Sequence, residues 1–285
     1  MMDFCARTDL AEESRDLWRR NAGQTAALPG VMAKKELRAG LESDRIEILS
    51  AEGERALGKP RGRYLTLRLD VLERREQDAF ERSCAALADM LRELLELREG
   101  ESVLVAGLGN EAITPDALGP LAAEHTMVTR HLKERLPEDF AAFRSVSVFR
   151  SGVLGTTGLE SSALVGAVST LSKPSRIVAI DALCAADAEK LCRTVQVSDA
   201  GIVPGSGVGN ARAALSRETL GVPVIAVGVP TVVDAAVFGA GERGLIVTPR
   251  DIDRQVRDAA RLIGYALNLA LHPGLTIGDI DMFLS

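Results

Sequence analysis

The stretch at residues 102–119, SVLVAGLGNEAITPDALG, limits most sharply what this chain can fold into. A short apolar run, Val103-Leu104-Val105-Ala106, breaks at Gly107-Leu108-Gly109-Asn110, and Thr114-Pro115-Asp116 then reads as the opening of a helix. A buried strand that enters a glycine turn and leaves as a helix is the opening unit of an open α/β sheet. Working residues in such sheets sit beyond the carboxyl ends of the strands, which is where Asp116 falls. A second β-branched run, Arg176-Ile177-Val178-Ala179-Ile180, ends at Asp181. If the two strands are parallel, Asp116 and Asp181 emerge at the same sheet edge. Two carboxylates in one partly dry cleft do not both ionise easily, so one keeps a proton and the other is free to act as a base.

Strand and helix patterns alternate from residue 102 onward. Strands are expected at 146–149, 177–180, 194–197 and 224–227, and helices at 116–135, 160–171 and 185–192. Phe80, Cys84, Leu87, Leu91 and Leu94 form one apolar stripe on a helix over 74–99, which Gly100 closes. Ile252, Val256, Ala259, Ile263, Ala266 and Ala270 form another, on a last helix capped at Thr248 with Pro249 in its first turn. Ahead of residue 102, a helix is expected near 9–21. Strands at 46–49 and 64–69 flank a basic Gly/Pro turn at 58–63, which reads as a solvated hairpin. At 285 residues the chain is long enough for one large core. The expected fold is α/β: a single doubly wound domain with a mostly parallel central sheet, plus an N-terminal hairpin extension.

The net charge of −6 excludes the broad basic surface of a nucleic-acid binder, so no direct nucleic-acid partner is expected. The most apolar window, 222–238, is interrupted by Pro223, Pro230 and Asp234 and does not span a bilayer, so no membrane partner is expected. The N-terminal residues are polar and carry acids, unlike a secretory signal, and a cytoplasmic location follows. Cys5, Cys84, Cys184 and Cys192 form no C-x-x-C pair and no standard zinc spacing, and they read as inert thiols in a reducing compartment. His125 and His131 lie six apart, not the i, i+4 offset that aligns two metal ligands on one helix face.

Other motifs carry less chemistry. Gly107-Leu-Gly-Asn110 is not a dinucleotide fingerprint, since Ala112 stands where the third glycine belongs. Gly205-Ser-Gly-Val-Gly-Asn210 lacks the Lys-Ser/Thr of a P-loop. Its backbone N–H groups suit an anion cradle, a substrate-binding loop or an oxyanion support, and equally a plain tight connection. There is no G-x-S-x-G elbow around Ser206, and a nucleophilic engine would have to draw on three histidines, of which His272 sits at a helix end. Carboxylates are the better candidates. Asp116, Asp181 and Asp234 each follow an apolar strand and Asp199 closely follows another. Each taken alone is as well explained as a helix cap.

Eight segments together resemble the germination protease family of spore-forming bacteria. They are Arg7-Thr-Asp-Leu-Ala11, KPRGRYLTL (59–67), Arg75-Glu-Gln-Asp78, GLGNEAITPDALGP (107–120), Val128-Thr-Arg-His-Leu132, Ala179-Ile-Asp-Ala-Leu183, SDAGIVPGSGVGN (198–210) and VGVPTVVDA (227–235). The resemblance implies an aspartic-type endopeptidase that starts the degradation of small acid-soluble, DNA-coating spore proteins at germination. It implies catalytic roles for Asp116 and Asp181, the two acids already picked out by their strands. It also implies an inactive zymogen, a homotetramer and a location in the cytoplasm of the forespore or spore core.

Cleavage in that family falls after an acid and before a hydrophobe and Ala. Asp9-Leu10-Ala11 fits this as a self-processing site, dividing the chain into a propeptide at 1–9 and a peptidase domain at 10–285. Asn110, Gly205, Ser206, Gly207, Asn210 and Asp234 are candidate substrate or oxyanion positions. The core is also similar to the hydrogenase-maturation peptidases, in which two acids at the places of Asp116 and Asp181 bind metal. No histidine counterpart is present, and neither cofactor nor metal is expected. Two stretches depart from the family pattern, a short propeptide and a shortened segment at 235–246. The alternatives are a metal-assisted peptidase using the same acids, and a catalytically silent relative that only binds spore proteins.

Overall fold

The computed structural model describes residues 7–22, 28–238 and 245–285. Most of the expected propeptide and half of the shortened segment at 235–246 lie outside them. The strands are β1 (Val31–Arg38), β2 (Leu41–Ile48), β3 (Gly62–Arg68), β4 (Val103–Leu108), β5 (Val146–Gly152), β6 (Arg176–Ala185), β7 (Thr194–Ser198), β8 (Val224–Asp234) and β9 (Ile246–Val247). The helices are α1 (Ala11–Ala22), α2 (Ala51–Leu57), α3 (Asp70–Glu73), α4 (Ala79–Leu95), α5 (Leu118–Glu124), α6 (Arg130–Arg135), α7 (Leu154–Thr157), α8 (Ser161–Ser172), α9 (Arg217–Leu220), α10 (Ile252–Leu271) and α11 (Ile277–Leu284).

One sheet runs through the molecule in the order β1-β2-β3-β7-β8-β6-β4-β5, with β9 beside β8. Its centre is parallel: β5, β4, β6 and β8 all point the same way. These strands are apolar on both faces because both faces are covered. Val103, Val105, Val178, Ile180, Ile225 and Val227 face α4, α5 and α10, whereas Leu104, Ala106, Ile177, Ala179 and Val224 face Val165 of α8. The expected extension is present as β1, β2 and β3, joined to the centre through antiparallel pairing of β3 with β7 and of β7 with β8.

Several boundaries differ from the sequence reading for local reasons. The helix expected over 74–99 starts at Ala79, because Arg75 and Asp78 take positive φ, and it ends on Glu96 in the left-handed region, before Gly100. The helix expected over 116–135 is three pieces. A 3-10 turn, Thr114–Asp116, precedes α5, and α5 stops at His125, where Asn268 of α10 claims the carbonyl of His125 and the N–H of Met127. The expected helix at 185–192 is only a 3-10 turn, Ala188–Lys190. A connection that short does not carry a parallel crossover, so β7 returns antiparallel. Asp199 at its end therefore lies away from the carboxyl edge of the parallel strands, where it binds the N–H and Nε of Arg63. The last helix starts after Asp251 rather than at Thr248, whose hydroxyl donates to the Thr231 carbonyl. Its expected stripe is buried throughout, from Ile252 to Ala270.

Candidate active site

The loop after β4 closes back on the sheet because it is built around glycines. A Cβ on Gly119 would overlap the carbonyl oxygens of Leu108 and Ile180, so α5 starts almost in contact with β4 and β6. Gly109 takes φ +113, and the Asp116 carbonyl lies where its side chain would be. Thr231 of β8 donates to the Pro115 carbonyl at 2.7 Å, pinning the turn from the far side. These contacts fix Asp116 at the carboxyl end of β4, where Oδ2 accepts the N–H of Asn110 at 2.9 Å. Asp181 is reached differently. It does not follow β6 but lies within it, since β6 stays paired with β8 through Ala185. Acids are disfavoured in strand interiors, which is why the sequence reading ended the strand there.

Both carboxylates open into one cavity of about 450 Å³. Asp181 is 5 % exposed and accepts one hydrogen bond, from the Ala182 N–H at 3.0 Å. Burial raises its pKa well above the ordinary carboxylate value, and the charges of Asp116 and then Asp9 raise it further. Asp116 is less enclosed. Burial raises its pKa too, opposed by the Asn110 N–H. Burial thus favours the protonated form of both acids, and more strongly for the more enclosed Asp181, an asymmetry that general acid–base chemistry can use.

A third acid reaches the same cavity. The segment Thr8–Ala11 is laid along the end of β6, and Asp9 lines the wall with Asp116 and Asp181. The Asp9 N–H donates to the Cys184 carbonyl at 2.9 Å. Gln196 of β7 brackets the Asp9–Leu10 peptide bond. Its Nε2 donates to the Asp9 carbonyl at 3.1 Å, and its Oε1 accepts the Ala11 N–H at 2.8 Å. Gly228 of β8 pairs with Asp181 on one side and Gln196 on the other, so the three share one row across the sheet. Leu10 and Ala11 are completely buried, with Leu10 packed against Leu183, Ala185, Leu191 and Val233. Helix α1 is anchored behind them by Glu13, which accepts the N–H groups of Ala186 and Asp187, and by the Lys190–Glu12 ion pair.

The remaining expected positions separate into two groups. Asn110, Gly205 and Asn210 line the cavity, and Ser206 and Gly207 touch Asp9. The Asn110 side-chain oxygen is spent on its own loop, accepting the Ala112 N–H. The N–H groups of Ser206, Val208, Gly209 and Asn210 also bond within theirs, so they do not point at a substrate carbonyl. Asp234 is not brought into the cavity, because its carboxylate accepts the N–H of Ala236 at the end of β8. Gln196 and Lys59 went unread in the sequence. Gln196 left a trace, being the one amide in the otherwise apolar stretch Val195–Val197, and a buried amide requires partners. Among the described residues no group of three or more His, Cys, Asp or Glu side chains is arranged to hold a metal ion, and no helix is long and apolar enough to cross a membrane. Cys184 and Cys192 have thiols pushed up to about 12 by burial, as expected of inert cysteines.

A parallel α/β centre with two carboxylates of raised pKa lining one cavity at the carboxyl end of its strands, and a peptide segment that brings Asp9 to the same wall, has the form of a hydrolase site for polypeptide. The comparisons with known proteins give the particular family. The family model for germination protease matches residues 7–241. The germination protease of Caldanaerobacter subterraneus subsp. tengcongensis is 39 % identical over 98 % of this chain and 98 % of its own length. That of Clostridium tetani is 36 % identical over 98 % of this chain and 99 % of its own, and that of Bacillus subtilis 40 % identical over 90 % and 70 %. The chain belongs to the germination protease family and is a peptidase. Among solved structures, a [NiFe] hydrogenase maturation protease HycI from Thermococcus kodakarensis KOD1 covers 62 % of this chain and 98 % of its own, with a TM-score of 0.37 and 21 % identity.

Proposed function

We propose that the chain is an aspartic-type endopeptidase that cleaves after an acidic residue and before a hydrophobe followed by Ala, and that it first cleaves itself between Asp9 and Leu10. Asp116 takes a proton from water, and the water oxygen attacks the carbonyl carbon of the residue before the bond. Gln196 donates to the carbonyl oxygen as it becomes an oxyanion. Asp181 passes its proton to the departing nitrogen, leaving a new carboxyl group on Asp9 and a free amine on Leu10. The single observation that carries this reading is the seating of Asp9 in the wall of the cavity that holds Asp116 and Asp181, with Gln196 bonded to its carbonyl and to the Ala11 N–H.

The same site serves substrates in trans. We assign these, from family membership, as the small acid-soluble proteins of the spore core, degraded at germination by a homotetrameric enzyme made as a zymogen in the forespore cytoplasm. Intact mass and N-terminal sequencing of the purified chain after prolonged incubation test self-processing, with Leu10 as the expected first residue. Incubation of that product with a small acid-soluble spore protein, followed by fragment masses, tests the substrate. Cleavage at bonds without a preceding acid, or no cleavage at all, refutes the assignment.

A further inference from the structure

The side chain of Asp9 is held more completely than a linker residue needs. Its Oδ1 accepts the Ser206 hydroxyl at 2.6 Å, and its Oδ2 accepts the Cys184 N–H at 2.8 Å. Gly207 lies flat against it: a Cβ there would overlap Oδ2 and the Cys184 side chain, so only glycine leaves room for the carboxylate. Two cations stand nearby. Lys59 donates to the Thr8 carbonyl at 3.1 Å, and burial lowers its pKa against the pull of Asp9 and then Glu13. The Arg7 guanidinium lies against Gly209. A carboxylate in a cavity that already holds Asp116 and Asp181 is disfavoured by like charge, so these donors and cations must offset that repulsion. The glycine-rich loop 205–209, whose own N–H groups are mostly used internally, here contributes a hydroxyl and a gap.

We propose that Ser206, the Cys184 N–H and Gly207, with Lys59 supplying positive charge, form the subsite that reads the acidic side chain on the amino side of the cleaved bond. The proposal rests on the reading of Asp9–Leu10 as a cleaved bond and names the residues that select it. A neutral side chain brings no charge for Lys59 and at most one good acceptor oxygen where the site presents two donors, which is how a buried polar site disfavours the wrong group. In the uncleaved chain Asp9 fills this subsite, so an incoming acidic peptide competes with the protein's own segment.

A double-mutant cycle on the full-length chain tests this, with self-processing rates followed by intact mass. The four chains are wild type, Asp9→Asn, Ser206→Ala and the pair. Asp9→Asn is expected to slow processing roughly ten- to hundredfold and Ser206→Ala roughly tenfold. In the Asp9→Asn background the added effect of Ser206→Ala falls to about twofold or less, the coupling of groups in contact. A wild-type rate for Ser206→Ala overturns the subsite. So does an equal slowing by Ser206→Ala in both backgrounds, which marks a merely structural role. If Ser206→Ala is not folded by circular dichroism, Lys59→Met takes its place in the cycle with the same criteria. A wild-type chain that never loses residues 1–9 overturns the self-processing reading instead. The same cycle is then read as denaturant stability in the intact chain, where absence of Asp9–Ser206 coupling overturns the subsite separately.

Discussion

Replacing Asp181 by Asn is expected to stop cleavage and, at neutral pH, to make the protein more stable. The aspartate is 5 % exposed and has one donor, the Ala182 N–H, with Asp116 and Asp9 adding like charge. An Asn keeps an oxygen for that N–H and brings no charge into the cavity. The folded-state pKa of Asp181 lies well above its unfolded value near 3.9, so the native state binds the extra proton. The stability this group contributes is complete below the unfolded pKa and is lost as pH rises through the folded pKa. The advantage of Asp181→Asn is therefore near zero at pH 3–4, grows with pH, and levels off above the folded pKa. A poorly solvated acid carrying one hydrogen bond sets its size at about 1–3 kcal/mol, or roughly 2–10 °C in Tm for a chain of this length. Urea denaturation at pH 4, 6 and 8, on chains verified as full length by intact mass, measures it. Self-processing should fall by at least about 10²-fold in the same variant. A variant less stable than wild type at pH 8, or a stability difference that does not change with pH, refutes the account of Asp181 as a dry, proton-holding acid.

Four further outcomes are expected. Self-processing follows a bell-shaped pH profile, with the acid limb set by protonation of Asp116 and the alkaline limb by loss of the Asp181 proton. Both limbs lie above ordinary carboxylate values because burial raises both groups, and a rate that climbs steadily to pH 10 would implicate a different base. Gln196→Ala removes the donor on the Asp9 carbonyl and leaves the Ala11 N–H unpaired. It should slow processing by about 10²-fold or more and cost about 1–3 kcal/mol in denaturant stability, and wild-type kinetics in that variant would remove Gln196 from the reaction. Gly119→Ala drives a methyl into the carbonyls of Leu108 and Ile180 and should destabilise by about 1–3 kcal/mol, read by urea titration, with an unchanged midpoint contradicting the close approach of α5. Exhaustive treatment with EDTA should leave the processing rate unchanged, and loss restored by added zinc would favour metal-assisted chemistry.

The amino-acid sequence by itself determined the parallel centre and the identity of the two acids. Apolar runs such as Val103–Ala106 and Arg176–Ile180 encode strands buried on both faces, and the glycines of GLGNEAITPDALG encode a backbone crowded enough to fix Asp116. Those are local properties, written in residue types a few positions apart. What only the tertiary structure decided depends on pairing between distant segments. Continued pairing of β6 with β8 put Asp181 inside a strand. The short link after β6 turned β7 antiparallel, which sent Asp199 to the opposite edge and brought Gln196 into the row of Asp181. Lys59, in a turn that reads as solvated, gained its role only when Thr8 and Asp9 folded back over the sheet from about fifty residues away. No local pattern records such contacts, because burial and charge at a cleft are set by what packs there, and that is settled when the whole chain closes on its core.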